Sequence, residues 1–201
     1  KILILCKFIL MNFKTFDESE NPFLEGLTEY LLDLKFPKKK CGKNAKGKQL
    51  NRANIVNQEQ DKEIECIILG KVRCFNKAEL VNSSMTRKHG DLFEVLQDFI
   101  HYNHPEFEYT SICINKNVTT GWHRDKNNTG NSMCISVGNQ IGGGIALDLD
   151  DGTVLEVNNK NTFLLYDGSK VRHKTISPDS GNRIAIIYYK SNEYKKKLNE
   201  N

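Results

Sequence analysis

The chain has 201 residues, and its 29 lysines and arginines outnumber its 25 aspartates and glutamates, for a net charge of +4. This length suffices for one domain with its own core, or at most two small ones. The six cysteines form no C-x-x-C pair and lack the density of a disulfide framework, which favours reduced thiols in an intracellular protein. The mildly basic charge is compatible with a nucleic-acid partner without requiring one.

The first ten residues, KILILCKFIL, are apolar but are interrupted by Lys7. The run is too short to span a bilayer and lacks the continuous core and cleavage site of a secretory signal. It is either an upstream extension before Met11 or a buried edge strand. We therefore expect a monomer in the nucleus or the cytoplasm, with no membrane partner.

Two amphipathic helices are predicted in the first half of the chain. Asn21 and Pro22 are typical of a helix start. Apolar residues then recur at helical spacing until Pro37: Phe23, Leu24, Leu27, Tyr30, Leu31 and Leu34. A second helix, over residues 91–102 with Asp91 as its cap, should pack on the outside of the sheet that follows.

Residues 37–52 are rich in lysine, glycine and asparagine and predict a surface loop. This basic loop is either a solvated linker or a contact for DNA phosphates. The apolar run at residues 65–72 predicts a strand. Residues 191–201 form a basic tail, and its lysines, like most charge runs, are typical of a solvated surface.

After Pro105 the sequence changes to short strands separated by glycine-, asparagine- and aspartate-rich turns. This spacing predicts a β-sandwich or jelly roll, with Gly142, Gly143 and Gly144 allowing a bulge or a close strand approach. We expect an α+β, mainly β protein: a double-stranded β-helix with an N-terminal helical support. Residues 1–106 would form the support, 107–190 the catalytic jelly roll and 191–201 the tail, in one compact domain. The predicted strands are YTSICIN, SMCISVG, GIALDL, TVLEVN, TFLLYDG, VRHKTI and RIAIIYY.

His123 and Asp125 form a His-x-Asp pair, and a second histidine, His173, follows downstream. At a strand end the period of two places both members of the pair on one face. The pair alone is a weak signal, since an exposed turn also explains it. Two histidines and one carboxylate, however, are the ligand set of non-haem Fe(II) oxygenases.

Arg183 lies in an apolar predicted strand, GNRIAIIYY, ten positions after His173. A buried guanidinium needs an anionic partner, and its planar fork suits a carboxylate. Arg183 is therefore a candidate to bind the distal carboxylate of 2-oxoglutarate.

These residues resemble the Fe(II)/2-oxoglutarate oxygenases. The resemblance is carried by HRDKNNTGNS, by TSICINKN before it, and by GGGIALDL, LLYDG, His173 and Arg183 after it. It looks closest to the TET/JBP group of 5-methylcytosine dioxygenases and base-J thymine hydroxylases, and covers roughly residues 107–189. It implies that His123, Asp125 and His173 bind Fe(II), that Arg183 binds the C5 carboxylate of 2-oxoglutarate, and that O2 is the second co-substrate.

The resemblance also implies a substrate, a methylated DNA base flipped out of the duplex. Asn128 matches the family asparagine that hydrogen-bonds the flipped pyrimidine, and Tyr189 falls near the aromatic that stacks on it. The sequence departs from the pattern at Ala185, where related enzymes often have a serine touching 2-oxoglutarate. It departs again at Ser191, where a base-reading histidine is expected, so either 5-methylcytosine or thymine remains a possible target.

Two other functions compete with a base oxygenase. A protein side-chain hydroxylase acting on proline, lysine or asparagine would share the iron, the co-substrate and the fold. A non-catalytic jelly-roll binding module would keep the sandwich alone. The retained ligand set with Arg183 argues against the binding module, since a binder needs no such set.

Overall fold

The computed structural model describes residue 16 and residues 21–40, 63–74 and 79–193. The predictions for residues 1–10, for residues 41–52 of the basic loop and for the tail beyond 193 lie outside these ranges. The helices are α1 (Pro22–Asp33), α2 (Ser84–Lys88) and α3 (Gly90–Asn103). The strands are β1 (Lys38–Lys40), β2 (Glu63–Val72), β3 (Val81–Asn82), β4 (Ser111–Lys116), β5 (Asn128–Gly138), β6 (Gly144–Asp148), β7 (Val154–Val157), β8 (Leu164–Tyr166), β9 (Arg172–Ile176) and β10 (Arg183–Ser191).

Helix α1 begins where the sequence predicts. The Asn21 side chain accepts a hydrogen bond from the backbone N–H of Leu24 at 3.1 Å, and Pro22 occupies the first turn. Leu24, Leu27 and Leu31, one helical turn or so apart, are buried along one face. The predicted amphipathic helix is confirmed.

Helix α3 confirms the second predicted helix, but its predicted cap is wrong. His89 precedes the helix and makes no side-chain capping bond, while Asp91 lies inside the first turn. The short helix α2, capped by the Ser83 side chain, ends only two residues before α3 begins. His89 therefore takes the position before the helix, and Asp91 is already helical. In the first turn its carboxylate still faces the positive end of the helix dipole.

Two antiparallel sheets face each other. The large sheet has the order β1-β2-β4-β10-β5-β8, with β3 pairing to β2, and the small sheet has the order β7-β6-β9. Strand β2 pairs with β4, so the large sheet includes strands from both sides of residue 106. The division into a support and a catalytic part stays a prediction. Among the described residues, no helix has the length and apolar character needed to cross a bilayer.

Strand β1 lies where a surface loop is predicted. Lys38 pairs opposite Glu65 and Lys40 opposite Glu63, so opposite charges face each other across the strands. Lysine has a low strand propensity, which hid this element in the sequence. Lysines on an edge strand also discourage further strand addition, so this composition suits its position.

The helices cover one face of the large sheet, as predicted for α3. Leu96 of α3 and Tyr188 of β10 are fully buried there, and the Tyr188 hydroxyl donates to the Leu96 carbonyl at 2.9 Å. Both belong to the largest apolar cluster of the described residues, which lies between the helices and the sheet. Its buried members are Leu24, Leu27, Leu31, Phe36, Ile67, Leu69, Leu92, Leu96, Phe99, Ile100, Ile112, Ile114, Met133, Ile135, Val137, Phe163, Ile184, Ile186 and Tyr188. We call this side of the sheet the helical face.

The opposite side of the large sheet, which we call the cavity face, has two parts. Toward β5 and β8 it packs on the small sheet through Cys134, Leu164, Ile145 and Leu147. Toward β2 and β4 a separate apolar cluster contains Ile64, Cys66, Cys113 and Val118. The predicted close approach at the glycine run is confirmed, because a Cβ on Gly144 (φ +147°) would lie 2.1 Å from the Val157 carbonyl oxygen.

Candidate metal centre and anion site

His123 and His173 are joined through their backbones. Each donates its N–H to the carbonyl of the other at 2.9 Å, forming an isolated antiparallel bridge. Their ring centroids are 4.3 Å apart. The bridge thus brings the loop after β4 against strand β9, as the jelly-roll arrangement requires.

Asp125 completes a three-residue cluster with these histidines. Its Oδ1 lies 3.7 Å from His123 Nε2, and its Oδ2 lies 3.8 Å from His173 Nε2. Ligand atoms about 2.1 Å from one ion lie roughly 3–4 Å apart, so the spacing suits a shared metal. Within the described ranges this is the one such group of three or more His, Cys, Asp or Glu side chains.

The local backbone fixes each ligand. The ring Nδ1 of His123 lies 2.8 Å from the Gly121 carbonyl, and that of His173 lies 3.0 Å from the Val171 carbonyl. These carbonyls accept from Nδ1–H, so each Nε2 keeps its lone pair for a metal. Burial, and then the neighbouring His123, lower the pKa of His173, which favours the neutral ligand form.

Gly168 leaves the room that the cluster needs. Its carbonyl accepts from the Asp125 N–H at 2.8 Å. A Cβ on Gly168 would lie 3.2 Å from Asp125 Oδ2 and 3.4 Å from His173 Cε1. Any larger residue would therefore press on two of the three candidate ligands.

Arg183 begins β10 on the cavity face and is only 4% exposed. Its Nη2 donates to Asn159 Oδ1 at 3.2 Å, while its buried Nε has no hydrogen-bond partner among the described residues. Burial lowers its pKa, yet no described acidic side chain forms a salt bridge with it. A buried cation with a neutral partner and an unused donor is suited to an incoming anion.

Asn159 was not predicted, and it is fully buried behind Arg183. Its Oδ1 also accepts from Ser136 Oγ at 3.3 Å, and its Nδ2 donates to Cys134 Sγ at 3.3 Å. Burial raises the pKa of Cys134 to about 11, so the thiol is neutral. In the sequence Asn159 is one of several turn asparagines, and no local signal distinguishes it.

One cavity of about 760 Å³ contains the metal cluster and Arg183 together. Tyr166, the last residue of β8, also lines it and makes an edge contact with the His173 ring, with centroids 5.0 Å apart. Besides Arg183, five cationic side chains line the cavity: Lys39, Arg73, Arg124, Lys126 and Lys174. Among its described lining residues, Asp125 is the one acid.

Asn128 and Tyr189 both line this cavity. Asn128 starts β5, where a turn was predicted, and its Nδ2 donates to Asp125 Oδ2 at 3.3 Å. It therefore lies beside the cluster without being one of the three ligands, as expected from its spacing. Tyr189 is partly buried and packs on the cluster around Cys66 and Cys113, while Tyr188 points to the helical face as expected.

Comparison with solved structures identifies the fold. NgTET1 in complex with 5mC DNA matches with a TM-score of 0.53 and 13% identity, over 85% of this chain and 68% of that one. A 2OG-Fe(II) oxygenase-family oxidoreductase from Burkholderia pseudomallei matches at 0.50 and 15%, over 88% and 80%. The double-stranded β-helix fold of these proteins is thereby confirmed for this chain.

A prolyl hydroxylase from Trichoplax adhaerens, solved with a hypoxia inducible factor peptide fragment, is also similar. It matches with a TM-score of 0.49 and 10% identity, over 94% of this chain and 88% of that one. The fold assignment rests on the first two structures. No family model matches the sequence, and a search of curated proteins finds no match.

Proposed function

We propose that this chain is an Fe(II)/2-oxoglutarate-dependent dioxygenase that oxidises the methyl group of a pyrimidine base in DNA. The observation that carries the proposal is the cavity shared by a two-histidine, one-carboxylate cluster and a buried arginine without an acidic partner. Either feature alone has a structural explanation. Together they match a metal and an anionic co-substrate bound side by side.

The donor set fits Fe(II). His123 and His173 offer their Nε2 atoms, and Asp125 offers a carboxylate oxygen, all within 4.8 Å of one another. These three side chains would hold the ion and would leave it open to the co-substrate and O2. Gly168 supports the same fit. A Cβ at this position would contact Asp125 and His173, so the glycine leaves these two candidate ligands their space.

Arg183 fits the distal carboxylate of 2-oxoglutarate. Its unpaired Nε and its neutral partner Asn159 leave both charge and hydrogen-bonding capacity for a ligand. A guanidinium binds a carboxylate through two parallel hydrogen bonds, which also fixes the orientation of the ligand. Arg183 would thus hold the far end of the co-substrate while its oxo-acid end faces the metal.

When bound, iron with 2-oxoglutarate and O2 supplies an oxidation in which one oxygen atom enters a C–H bond and the other enters succinate as CO2 leaves. The side chains of this chain bind and orient the reactants. Asn128 steadies the Asp125 carboxylate through its amide N–H. Apolar side chains on the cavity wall, such as Ile68 and Ile187, exclude water beside the reacting C–H bond.

The charge of the cavity supports a nucleic-acid substrate. Five cations besides Arg183 line it, and its one described acid belongs to the metal cluster. DNA phosphates bind such cationic rims, and the affinity falls as salt rises. The cavity lining offers no acidic side chain, other than Asp125, that could contact a basic peptide. One structural neighbour was solved with 5mC DNA.

The wall near β2 and β4 supports a base as the reacting group. Ile64, Cys66 and Tyr189 give it an apolar surface on which a planar ring can lie. The side-chain oxygen of Asn128 could accept a hydrogen bond from the edge of a pyrimidine. A base inside a duplex cannot reach this depth, so the nucleotide would have to be flipped out.

The test supplies the chain with Fe(II), 2-oxoglutarate and O2, and with duplexes that contain either 5-methylcytosine or cytosine at one position. Nucleosides are analysed by mass spectrometry and succinate by NMR, with Asp125→Ala as the inactive control. We expect an oxidised methyl group on 5-methylcytosine or thymine, with matching succinate. Succinate release without any oxidised base would reject DNA and favour the protein hydroxylase, and absence of 2-oxoglutarate turnover would reject the oxygenase.

A salt titration tests the phosphate contacts separately. Replacing Lys126 by alanine should weaken DNA binding at all sequences and lower the salt-dependence slope by about one. Lys88, an exposed lysine at the end of α2 that does not line the cavity, serves as the matched control. An equal effect of both substitutions would mean that the cavity rim does not hold the phosphates.

A further inference from the structure

Two buried cysteines meet on the cavity face of the large sheet, outside the histidine–aspartate cluster. Cys66 of β2 is 1% exposed and Cys113 of β4 is 3% exposed, and both line the cavity. Their Sγ atoms lie 3.7 Å apart. The next residue along each strand, Ile67 or Ile114, belongs to the helical face, so strand alternation turns both thiols toward the cavity.

Asn115 adds an oxygen atom to the two thiols. It lies opposite Cys66 in the pairing of β2 with β4, and its Oδ1 accepts a hydrogen bond from the Cys113 thiol at 3.4 Å. Asn115 is buried and also lines the cavity. Two neighbouring strands thus hold two sulfur atoms and one amide oxygen together. We call Cys66, Cys113 and Asn115 the thiol cluster.

The spacing of the thiol cluster suits one shared metal ion. Two thiolates on a tetrahedral zinc ion, or one thiolate and one oxygen ligand, lie roughly 3.5–3.8 Å apart. The distances of 3.7 Å between the sulfur atoms and 3.4 Å from Cys113 Sγ to Asn115 Oδ1 are close to these values. A disulfide bond would instead need the two sulfur atoms at about 2.05 Å, so the strands or side chains would have to move.

The surroundings of the thiol cluster favour a soft divalent ion. Ile64 and Val118 pack against the two cysteines, with Ile68 and Ile187 beside them. Two thiolates and one divalent cation carry no net charge together, so they can lie among apolar side chains without burying an unpaired charge. Thiolates also bind zinc in preference to harder ions, whereas imidazole and carboxylate ligands suit iron. The cavity therefore offers two donor sets of different softness.

We propose that the thiol cluster binds a Zn(II) ion at a second metal site in the cavity. The inference goes beyond the proposed function and does not rest on it, since it uses neither the histidine–aspartate cluster nor Arg183. Three protein ligands would leave one of the four zinc positions open to the cavity. The ion would also lie on the apolar wall that the proposed base needs, so zinc and base would compete for this wall.

Co(II) serves as a spectroscopic probe of the zinc site. Thiolate sulfur bound to Co(II) gives a charge-transfer band in the near ultraviolet, which imidazole and carboxylate ligands do not give. The reduced full chain is titrated with Co(II) in the absence of O2, and Zn(II) is then added. We expect the band to appear with Co(II) and to disappear with Zn(II). Cys66→Ala and Cys113→Ala should each lose the band at the same Co(II) concentration.

Cys74→Ala is the matched control, because Cys74 is a free cysteine two residues after β2 that does not line the cavity. It should keep the parental band. Valine replaces alanine at Cys66 or Cys113 if an alanine variant does not fold. A parent chain without the band would overturn the inference, and so would a band that persists in the folded Cys66 and Cys113 variants. Neither result changes the proposed function, whose own test measures succinate and the oxidised base.

Discussion

The two faces of strand β10 differ in polarity and in packing. Ile184, Ile186 and Tyr188 face the helices, where apolar side chains fill the space and the tyrosine hydroxyl has a partner. Arg183 and Tyr189 face the cavity, where cations collect and the buried Nε of Arg183 has no described hydrogen-bond partner. Since neighbouring residues on one strand experience such different surroundings, we expect the helical face to account for stability and the cavity face for the proposed binding.

The largest effect should come from breaking the cavity face at its centre. Asp125→Ala removes the one carboxylate ligand, so we expect bound iron and succinate release to fall to the assay background. The melting temperature should fall by no more than a surface substitution causes, since the helical face is untouched. Metal analysis checks the loss of bound iron, and thermal unfolding of the same sample checks the melting temperature. Succinate release at the parental rate would contradict the metal assignment.

The converse substitution breaks the helical face. Leu96→Ala opens a cavity under α3 and should lower the free energy of unfolding by about 2–5 kcal/mol. Activity per folded molecule should not change, because Leu96 lies on the far side of the sheet from the metal cluster. Val95→Ala, on the same helix but 38% exposed, should change stability by less than about 0.5 kcal/mol. Denaturant titration distinguishes the two variants, and equal losses would contradict the location of the core.

A smaller effect on activity is expected when Arg183 on the cavity face is given an acidic partner. Asn159→Asp places a carboxylate where the amide oxygen now accepts from Arg183 at 3.2 Å. The new anion would compete with 2-oxoglutarate, so KM for the co-substrate should rise roughly tenfold to a hundredfold while kcat at saturation persists. Asn158→Asp, exposed one residue earlier, is the control. An unchanged KM in the folded Asn159 variant would mean that Arg183 does not bind the co-substrate.

An effect of similar size is expected at Asn128, which contacts Asp125 and lines the cavity. Asn128→Ala should lower kcat/KM for base oxidation about tenfold to a hundredfold. Succinate release without DNA should fall less, because the bond to Asp125 is long at 3.3 Å. Asn127→Ala, which removes a contact to Arg73 instead, is the comparison. Equal loss of both activities would make Asn128 a support for Asp125 alone.

The sequence predicted the parts of this site that follow from local periodicity. Arg183 could be found because an apolar run indicates a buried strand. The His-x-Asp pair could be found because its residue types suit a metal, although it lies in the loop after β4 and not at a strand end. Asn159 could not, because its place behind Arg183 depends on a buried turn that no local pattern indicates. Strand β1 was missed for a related reason: three lysines become a strand only when a partner such as Glu65 lies opposite.

The backbone bridge between His123 and His173 also closes a long loop. The two histidines are 50 positions apart in the chain, yet reciprocal hydrogen bonds join their backbones. The main chain therefore holds the two rings side by side, with centroids 4.3 Å apart. We expect any substitution that opens this bridge to separate both candidate histidine ligands at once.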